Sequence, residues 1–326
     1  MTMIKILVTG GAGFIGSNLC EHLLQKGYYV VCLDNFSTGH MSNIQHLINK
    51  YPSRFSLVVG DIRDFQTCSK AVQGVDYVFH EAALGSVPRS IENPIATNEV
   101  NICGFLNMLV ASRDCKVKRF IFAASSSTYG DCAELPKVEE RIGKPLSPYA
   151  LTKYVNELYA ELFAKTYGLE FIGLRYFNVF GRRQDPNSMY AAVIPLFIKQ
   201  FLMHEQPQIN GDGSNTRDFT HVDNIIHINM LALETTNPSA INQIYNAAGN
   251  ERTSINQLAS EIRTQLIRYN SDISEIQPIH RANRIGDIPH SFANIDKARH
   301  LLGYSPIISF QDGLSATVEW YVNNLQ

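Results

Sequence analysis

The chain has 326 residues, 45% of them hydrophobic and 18% charged, with a formal charge of −2 and a pI near 6.5. That supplies apolar material for one large or two smaller cores. No long basic run suggests a nucleic-acid partner, and no apolar run approaches the ~20 residues of a membrane span.

Residues 4–9 form a short apolar, β-branched run, which predicts a buried strand. No signal-peptide pattern precedes it, so a cytoplasmic protein is expected. Gly10-Gly11-Ala12-Gly13-Phe14-Ile15-Gly16 follows, then a helix over 14–26 that Gly27 stops. A strand over 28–33 ends at Asp34. Strand, glycine loop, helix, strand and acid within about 30 residues make the dinucleotide-binding pattern. Gly10, Gly13 and Gly16 let the backbone turn tightly and approach a pyrophosphate. The helix N-terminus at Phe14 and Ile15 offers amides to that anion. Asp34 suits the adenosine ribose hydroxyls and repels a 2′-phosphate. Asn35, Phe36, Ser37 and Thr38 supply no arginine, which favours NAD over NADP; Asn35, Ser37 and Gly39 belong to the expected cofactor site.

Strands alternate with helices up to residue 176. Residues 55–59 form a strand, followed by Asp61 and Ile62, where an adenine edge could be met. Residues 76–83 form another, ending at Ala82 and Ala83 before Leu84. A helix over 95–113 carries Asn101. A strand over 119–125 ends in the small, hydroxylated run Ser125-Ser126-Ser127-Thr128. A helix from Ser147 runs to about residue 167, where Gly168 ends it, and a strand over 171–176 finishes at Tyr176. This order predicts an α/β fold with a doubly wound parallel sheet, the Rossmann type, whose ligands bind at the carboxyl ends of the strands. Residues 1–176 are expected to be the NAD-binding domain, with returning segments from 220–250. Residues 177–326 are expected to form a smaller, interleaved substrate lobe. There, helices are expected near 190–203, 223–235, 254–267, 294–302 and 311–324, a strand at 245–247, and a loop over 211–219.

Ser147 is a good helix N-cap, and Pro148 suits the first helical position. Tyr149 and Lys153 are then an i, i+4 pair on one face. A phenol ionises near pH ~10, and an adjacent ammonium or a cationic cofactor would favour the phenolate. Such a tyrosine can act as a general base near neutral pH. Alone, Tyr-x-x-x-Lys is more often a surface accident. The cysteines at 20, 32, 68, 103, 115 and 132 form no C-x-x-C pair and are expected to be reduced thiols. No metal site is expected: His80-Glu81 begins like a zinc helix, but Leu84 stands where the second histidine would be.

Together, Gly10-x-x-Gly13-x-x-Gly16, Ser125-Ser126-Ser127-Thr128-Tyr129-Gly130, Tyr149-x-x-x-Lys153 and Arg175-Tyr176-Phe177-Asn178-Val179-Phe180-Gly181 resemble the extended short-chain dehydrogenase/reductases. The likeness spans essentially the whole chain. Pro145-Leu146-Ser147-Pro148-Tyr149 and Phe180-Gly181-Arg182-Arg183-Gln184-Asp185-Pro186 resemble the UDP-hexose 4-epimerase branch, in particular bacterial UDP-N-acetylglucosamine 4-epimerases. The resemblance implies bound NAD, with Tyr149 as base and Lys153 on the nicotinamide ribose. Ser126, or Ser125, would hold the sugar 4-hydroxyl. Tyr176 and Val179 would complete the cofactor site. Asn178, Arg217 and Arg284 would hold the diphosphate and Asp287 the uridine ribose. Gly85, Ser86, Ser127, Ala192 and Ser291 would line the sugar pocket, with Val193 and Asn210 also meeting substrate. A serine at 291, where restricted epimerases carry tyrosine, would leave room for an N-acetyl group. The corresponding uronic acid, or UDP-glucose, is the alternative substrate. A homodimer through the helices near 95–113 and 148–167, and a part in polysaccharide synthesis, are implied by likeness alone. A 4,6-dehydratase or decarboxylase of this family would carry an acid just after the serine, and Ser126-Ser127-Thr128-Tyr129 has none. A non-enzymatic NAD sensor would be expected to have lost the Ser/Tyr/Lys set.

Overall fold

The structure, a computed structural model, describes residues 3–282 and 289–325. Arg284 and Asp287 lie outside the described residues. Six strands open the fold: β1 Lys5–Thr9, β2 Tyr29–Asp34, β3 Phe55–Val59, β4 Tyr77–His80, β5 Arg119–Ser125 and β6 Phe171–Tyr176. With the strand Gln243–Ala247 they form one seven-stranded sheet. Its order is Gln243–Ala247, β6, β5, β4, β1, β2, β3, and every pairing is parallel. Strand order reverses between β1 and β4, so the crevice for a ligand opens at their carboxyl ends.

Both faces of the sheet are covered, as parallel sheets require. The helices Phe14–Gln25 and Val222–Glu234 pack Leu19, Leu23, Ile225 and Ile228 onto one face. Phe65–Val72, Phe105–Asp114 and Pro148–Tyr167 pack Cys68, Met108, Leu109 and Phe163 onto the other. A separate core, with Phe180, Phe197, Phe201, Leu258, Ile262 and Leu314, lies in the C-terminal part.

Three expectations are corrected. The helix expected over 95–113 is three pieces: Pro94–Asn98, a π-helical segment Glu99–Gly104, and Phe105–Asp114. Gly104 sits in that segment because an added methyl would come within 2.6 Å of the Ile62 side chain. The helix expected from 190 starts at Val193. Pro195 has no amide to offer residue 191, so it is tolerated only in a first turn. The strand expected over 76–83 stops at His80. Its neighbour β1 ends at Thr9, and the Thr9 carbonyl and hydroxyl take the amides of Glu81 and Ala82. Residues 81–86 therefore leave the sheet as an irregular segment.

One buried ion pair anchors the long helix to the sheet. Arg175 on β6 donates to both carboxylate oxygens of Glu157, at 2.9 and 2.8 Å, and to the Glu139 carbonyl at 3.0 Å. Its guanidinium also lies 4.8 Å from the Tyr129 ring centroid. Such a pair adds little net stability over an apolar substitute, but removing one partner strands the other. Glu157→Ala should therefore lose about 3–5 kcal/mol of unfolding free energy, read from the midpoint of urea unfolding.

Candidate active site

A cavity of about 600 Å³ opens over the carboxyl ends of β1, β2, β4, β5 and β6. Its first wall is the glycine loop. Gly10 adopts φ +66°, and the Gly13 amide bonds back to its carbonyl at 3.0 Å. A methyl on Gly16 would sit 2.1 Å from the Gly10 carbonyl oxygen, and one on Gly10 would sit 2.8 Å from the Ala82 backbone. The loop is a cradle that only glycine leaves open, ending at a helix N-terminus suited to an anion. The Asp34 carboxylate ties this loop to β2, accepting from the amides of Ala12 at 2.9 Å and Phe36 at 2.8 Å. Gly39 packs beneath it, since a methyl there would come within 3.0 Å of both carboxylate oxygens.

Asp61 binds Arg63 through its side chain and accepts from Asn35 at 2.8 Å. The Arg63 guanidinium holds the Asp61 carboxyl down to about 2, against the opposing effect of burial. Asn101, on the π-helical segment, clamps Leu84: it accepts the Leu84 amide at 2.8 Å and donates to its carbonyl at 3.1 Å. A third bond, to the Thr152 hydroxyl, ties that loop to the Pro148–Tyr167 helix. Asn101 is buried and off the cavity wall, so the structure gives it a bracing contact rather than a lining one.

Ser147 caps the Pro148–Tyr167 helix on the Ala150 amide, and Tyr149 and Lys153 both reach the cavity. Ser125 and Ser126 stand opposite, at the end of β5. Ser125 is the serine bonded to the Tyr149 side chain. It also accepts the hydroxyl of Ser127, which turns inward at 2.8 Å and does not line the cavity. Burial pushes Tyr149 up, and the Ser125 hydrogen bond only partly offsets it. The Lys153 ammonium donates to the Ala123 carbonyl at 2.7 Å, and burial brings it down to about 8.

Of the other expected residues, Gly13, Phe14, Ile15, Ser37, Ile62, Ala82, Ala83, Gly85, Ser86, Tyr176, Asn178, Val179 and Ala192 line the cavity. Val193, Asn210, Arg217 and Ser291 do not. Arg217 donates to the carbonyls of Thr216 and Pro289. Ser291 is buried, its amide on Thr216, so the argument about sugar size passes to the residues on the wall. Sequence reading missed Glu81, Arg89, Gln184, Ser188 and Tyr190, which also line it. The Arg89 guanidinium lies 4.9 Å from the Tyr190 ring centroid, and Glu92 accepts the Tyr190 hydroxyl. The Tyr190–Glu92 bond joins segments 98 residues apart in the chain.

The model of the NAD dependent epimerase/dehydratase family matches residues 6–248. The chain belongs to that family. It is 35% identical to a UDP-glucose 4-epimerase from Thermotoga maritima, solved with UDP-glucose, with a TM-score of 0.91 over 99% of this chain and 100% of that one. It is 37% identical to a UDP-N-acetylglucosamine 4-epimerase from Methanobrevibacter ruminantium, solved with UDP-N-acetylmuramic acid, with a TM-score of 0.90 over 99% of each chain. A UDP-glucuronic acid 4-epimerase from Bacillus cereus, solved with UDP-glucuronic acid and NAD, is 34% identical with a TM-score of 0.89, covering 99% of this chain and 100% of that one. NAD is the cofactor of this family member, and the open glycine cradle beside Asp34 fits it.

The cradle gives a direct test. Gly16→Ala must push the loop away from the helix, because the new methyl meets a backbone oxygen at 2.1 Å. The purified variant should release little NAD(H) on denaturation, whereas the parent protein should release close to one equivalent; enzymatic assay of the supernatant measures both.

Proposed function

We propose that this protein is a UDP-sugar 4-epimerase whose preferred pair is UDP-N-acetylglucosamine and UDP-N-acetylgalactosamine. The observation that carries this reading is the group formed by Tyr149, Ser125 and Lys153 beside a wall of small residues. Gly85, Ser86, Ser126 and Ala192 all lie on that wall, and a methyl built on Gly85 would meet nothing within 4 Å. Room of that kind suits an acetamido group that must sweep through the site.

Tyr149 takes the proton of the 4-hydroxyl, and Ser125 holds the same oxygen. Bound NAD supplies the hydride acceptor at C4 and a positive ring charge that favours the phenolate. Lys153, fixed on the Ala123 carbonyl, holds the ribose beside them. The resulting 4-keto sugar would turn over while its nucleotide stays tethered; the hydride would then come back to the opposite face of C4, and Tyr149 would return the proton to the 4-oxygen. Binding energy from the nucleotide, with Asn178, Arg217, Arg284 and Asp287 as its proposed contacts, thus serves the reacting carbon. Arg89 supports a second reading. Its guanidinium lies on the cavity wall and would meet the carboxylate of a UDP-N-acetylhexosaminuronic acid.

Incubation with UDP-N-acetylglucosamine, its uronic acid and UDP-glucose, with the epimers resolved by NMR, separates the readings. The acetylated neutral sugar should turn over fastest; a clear preference for the uronate would transfer the assignment to the second reading. With the preferred sugar, Tyr149→Phe should reduce kcat by at least about 10²-fold while UDP-sugar binding stays near native. Ser125→Ala should cost more turnover than Ser126→Ala, because Ser125 is the hydroxyl bonded to Tyr149.

A homodimer is proposed through the outer face of the Pro148–Tyr167 helix. Leu151, Leu158 and Leu162 are about half exposed there, and Ile95, on the helix packed beside it, is 72% exposed. Spacings of seven and four residues keep the leucines on one stripe. Leu158→Glu should halve the mass measured by light scattering.

A further inference from the structure

Residues 182–185 cross from the C-terminal part of the chain onto the Phe14–Gln25 helix, and polar contacts hold them there. Asn18, buried on that helix, donates to the Arg182 carbonyl at 3.1 Å and to the Phe14 carbonyl at 2.9 Å. Arg183 donates to the carboxylate of Glu21, three residues further along, and the two side chains are only 12% and 23% exposed. The Arg183 backbone sits at φ +67°, a conformation that a residue with a side chain keeps only where its surroundings hold it. Asp185 reaches His40 at 3.4 Å, and the His40 amide is bonded to the Ala12 carbonyl of the glycine loop at 3.0 Å. On the C-terminal side, Tyr321 donates to the Gln184 carbonyl, and Arg182 pairs with Asp223 at 2.7 Å. Between these anchors the Gln184 side chain, bonded to the Val179 carbonyl at 3.1 Å, lines the cavity together with Gly13, Phe14 and Gly16.

We propose that residues 182–185 are a clasp beside the cofactor cradle, and that Arg183, through Glu21, is the positioning residue that keeps NAD in place between turnovers. A dinucleotide's pyrophosphate belongs at the N-terminus of the helix after the glycine loop. Asn18 and Glu21 stand on the next turns of that helix, so the clasp joins the C-terminal part to the cradle at the anion's end of the cavity. The two sides must separate there for the dinucleotide to pass. The His40 contact contributes least, because its imidazole is 53% exposed and screened by solvent. Arg183 and Glu21 are better shielded, and removing either strands the other. Retention suits the reaction: the hydride leaves for the cofactor and returns, so no step requires NAD to exchange. The proposal thus rests on the epimerase reading for its purpose, but not on which sugar is preferred.

The test follows the exchange of bound NAD with labelled NAD, read by rapid gel filtration of the NAD-bound protein without any sugar. Arg183→Met keeps the aliphatic stem and removes the ion pair. Its exchange should be faster than the parent's by about tenfold or more, the scale of one charge-assisted hydrogen bond. Glu21→Gln keeps the shape of its partner and should shift exchange in the same direction. The double variant Arg183→Glu with Glu21→Arg restores opposite charges and should slow exchange again. Glu170→Gln is the control: it removes the partner of Arg119 just before β6 begins, at the opposite end of the sheet, and should leave exchange unchanged. Parent-like exchange in both Arg183→Met and Glu21→Gln would overturn the proposal. So would equal acceleration in Glu170→Gln, which would mark a general loosening of the fold. Turnover gives a second reading: on dilution the Arg183→Met enzyme should lose activity and recover it with added NAD, whereas the parent should not respond. A loss that added NAD does not restore would place Arg183 in the chemistry and overturn its role in retention. If the parent turned over none of the three UDP-sugars, the assignment of function would fail, while the exchange rates would still decide whether the clasp holds NAD.

Discussion

Gly16 lies so close to Gly10 that a single added methyl would sit 2.1 Å from a carbonyl oxygen, and the rest of the site is built outward from that contact. It sets where the Phe14–Gln25 helix begins and how near its free amides stand to a bound anion. Gly10 in turn touches the Ala82 backbone, so the same loop fixes the spacing between β1 and the segment leaving β4. Asp34 closes the loop on its other side by accepting the Ala12 amide. Two walls of the cavity are thus positioned by close backbone contacts together with the buried Asp34 carboxylate.

The reacting side depends on a different kind of constraint. Tyr149 and Lys153 ride on a twenty-residue helix, which Arg175 and Glu157 pin to β6 through two hydrogen bonds. Asn101 joins that helix to the Leu84 loop through Thr152. Groups carried on braced, regular elements hold their geometry better than groups on loops. The substrate-facing residues are arranged the opposite way. Ser86 sits at φ +98°, in a region that residues with side chains avoid, and Ser188 and Tyr190 lie on an irregular segment. Rigid chemistry and a more variable specificity wall fit a family whose members act on several sugars.

Burial opposes the charged form of every ionisable group at the reacting end. It pushes Tyr149 and Glu81 up and Lys153 down. The fold answers each with a polar partner: Ser125 for Tyr149, the Ala123 carbonyl for Lys153, and Tyr176 for Glu81. A cluster of groups displaced from their usual behaviour and gathered in one cavity is the physical signature of a site that moves protons.

Local chemistry alone determined a good deal of this. The strands at 119–125 and 171–176 have the limits that their apolar runs prescribe, because a parallel strand buried on both faces admits little else, and the edge strand at 55–59 is as long as its own apolar run. Ser147 and Pro148 set the start of the Pro148–Tyr167 helix, and Gly168, at φ +71°, its end. Glycine spacing and Asp34 located the cofactor loop, since a turn, a helix start and a strand end are all properties of neighbouring residues. What the chain order could not decide depends on distant partners and on exclusion of water. The π-helical segment follows from the packing of Gly104 on Ile62, and the helix starting at Val193 from an interplay of Ala192 and Pro195. Ser125 is the serine that bonds Tyr149, and Ser291 is buried beside Thr216 and off the cavity wall. In the sequence Glu81 stands out only as part of a zinc pattern that fails at Leu84. It lines the cavity just past the end of β4, and the Tyr176 hydroxyl that donates to it comes from β6, 95 residues away along the chain. An i, i+4 spacing puts Lys153 on the same face as Tyr149, but only the tertiary structure supplies the burial that surrounds both groups and the Ala123 carbonyl that takes the ammonium.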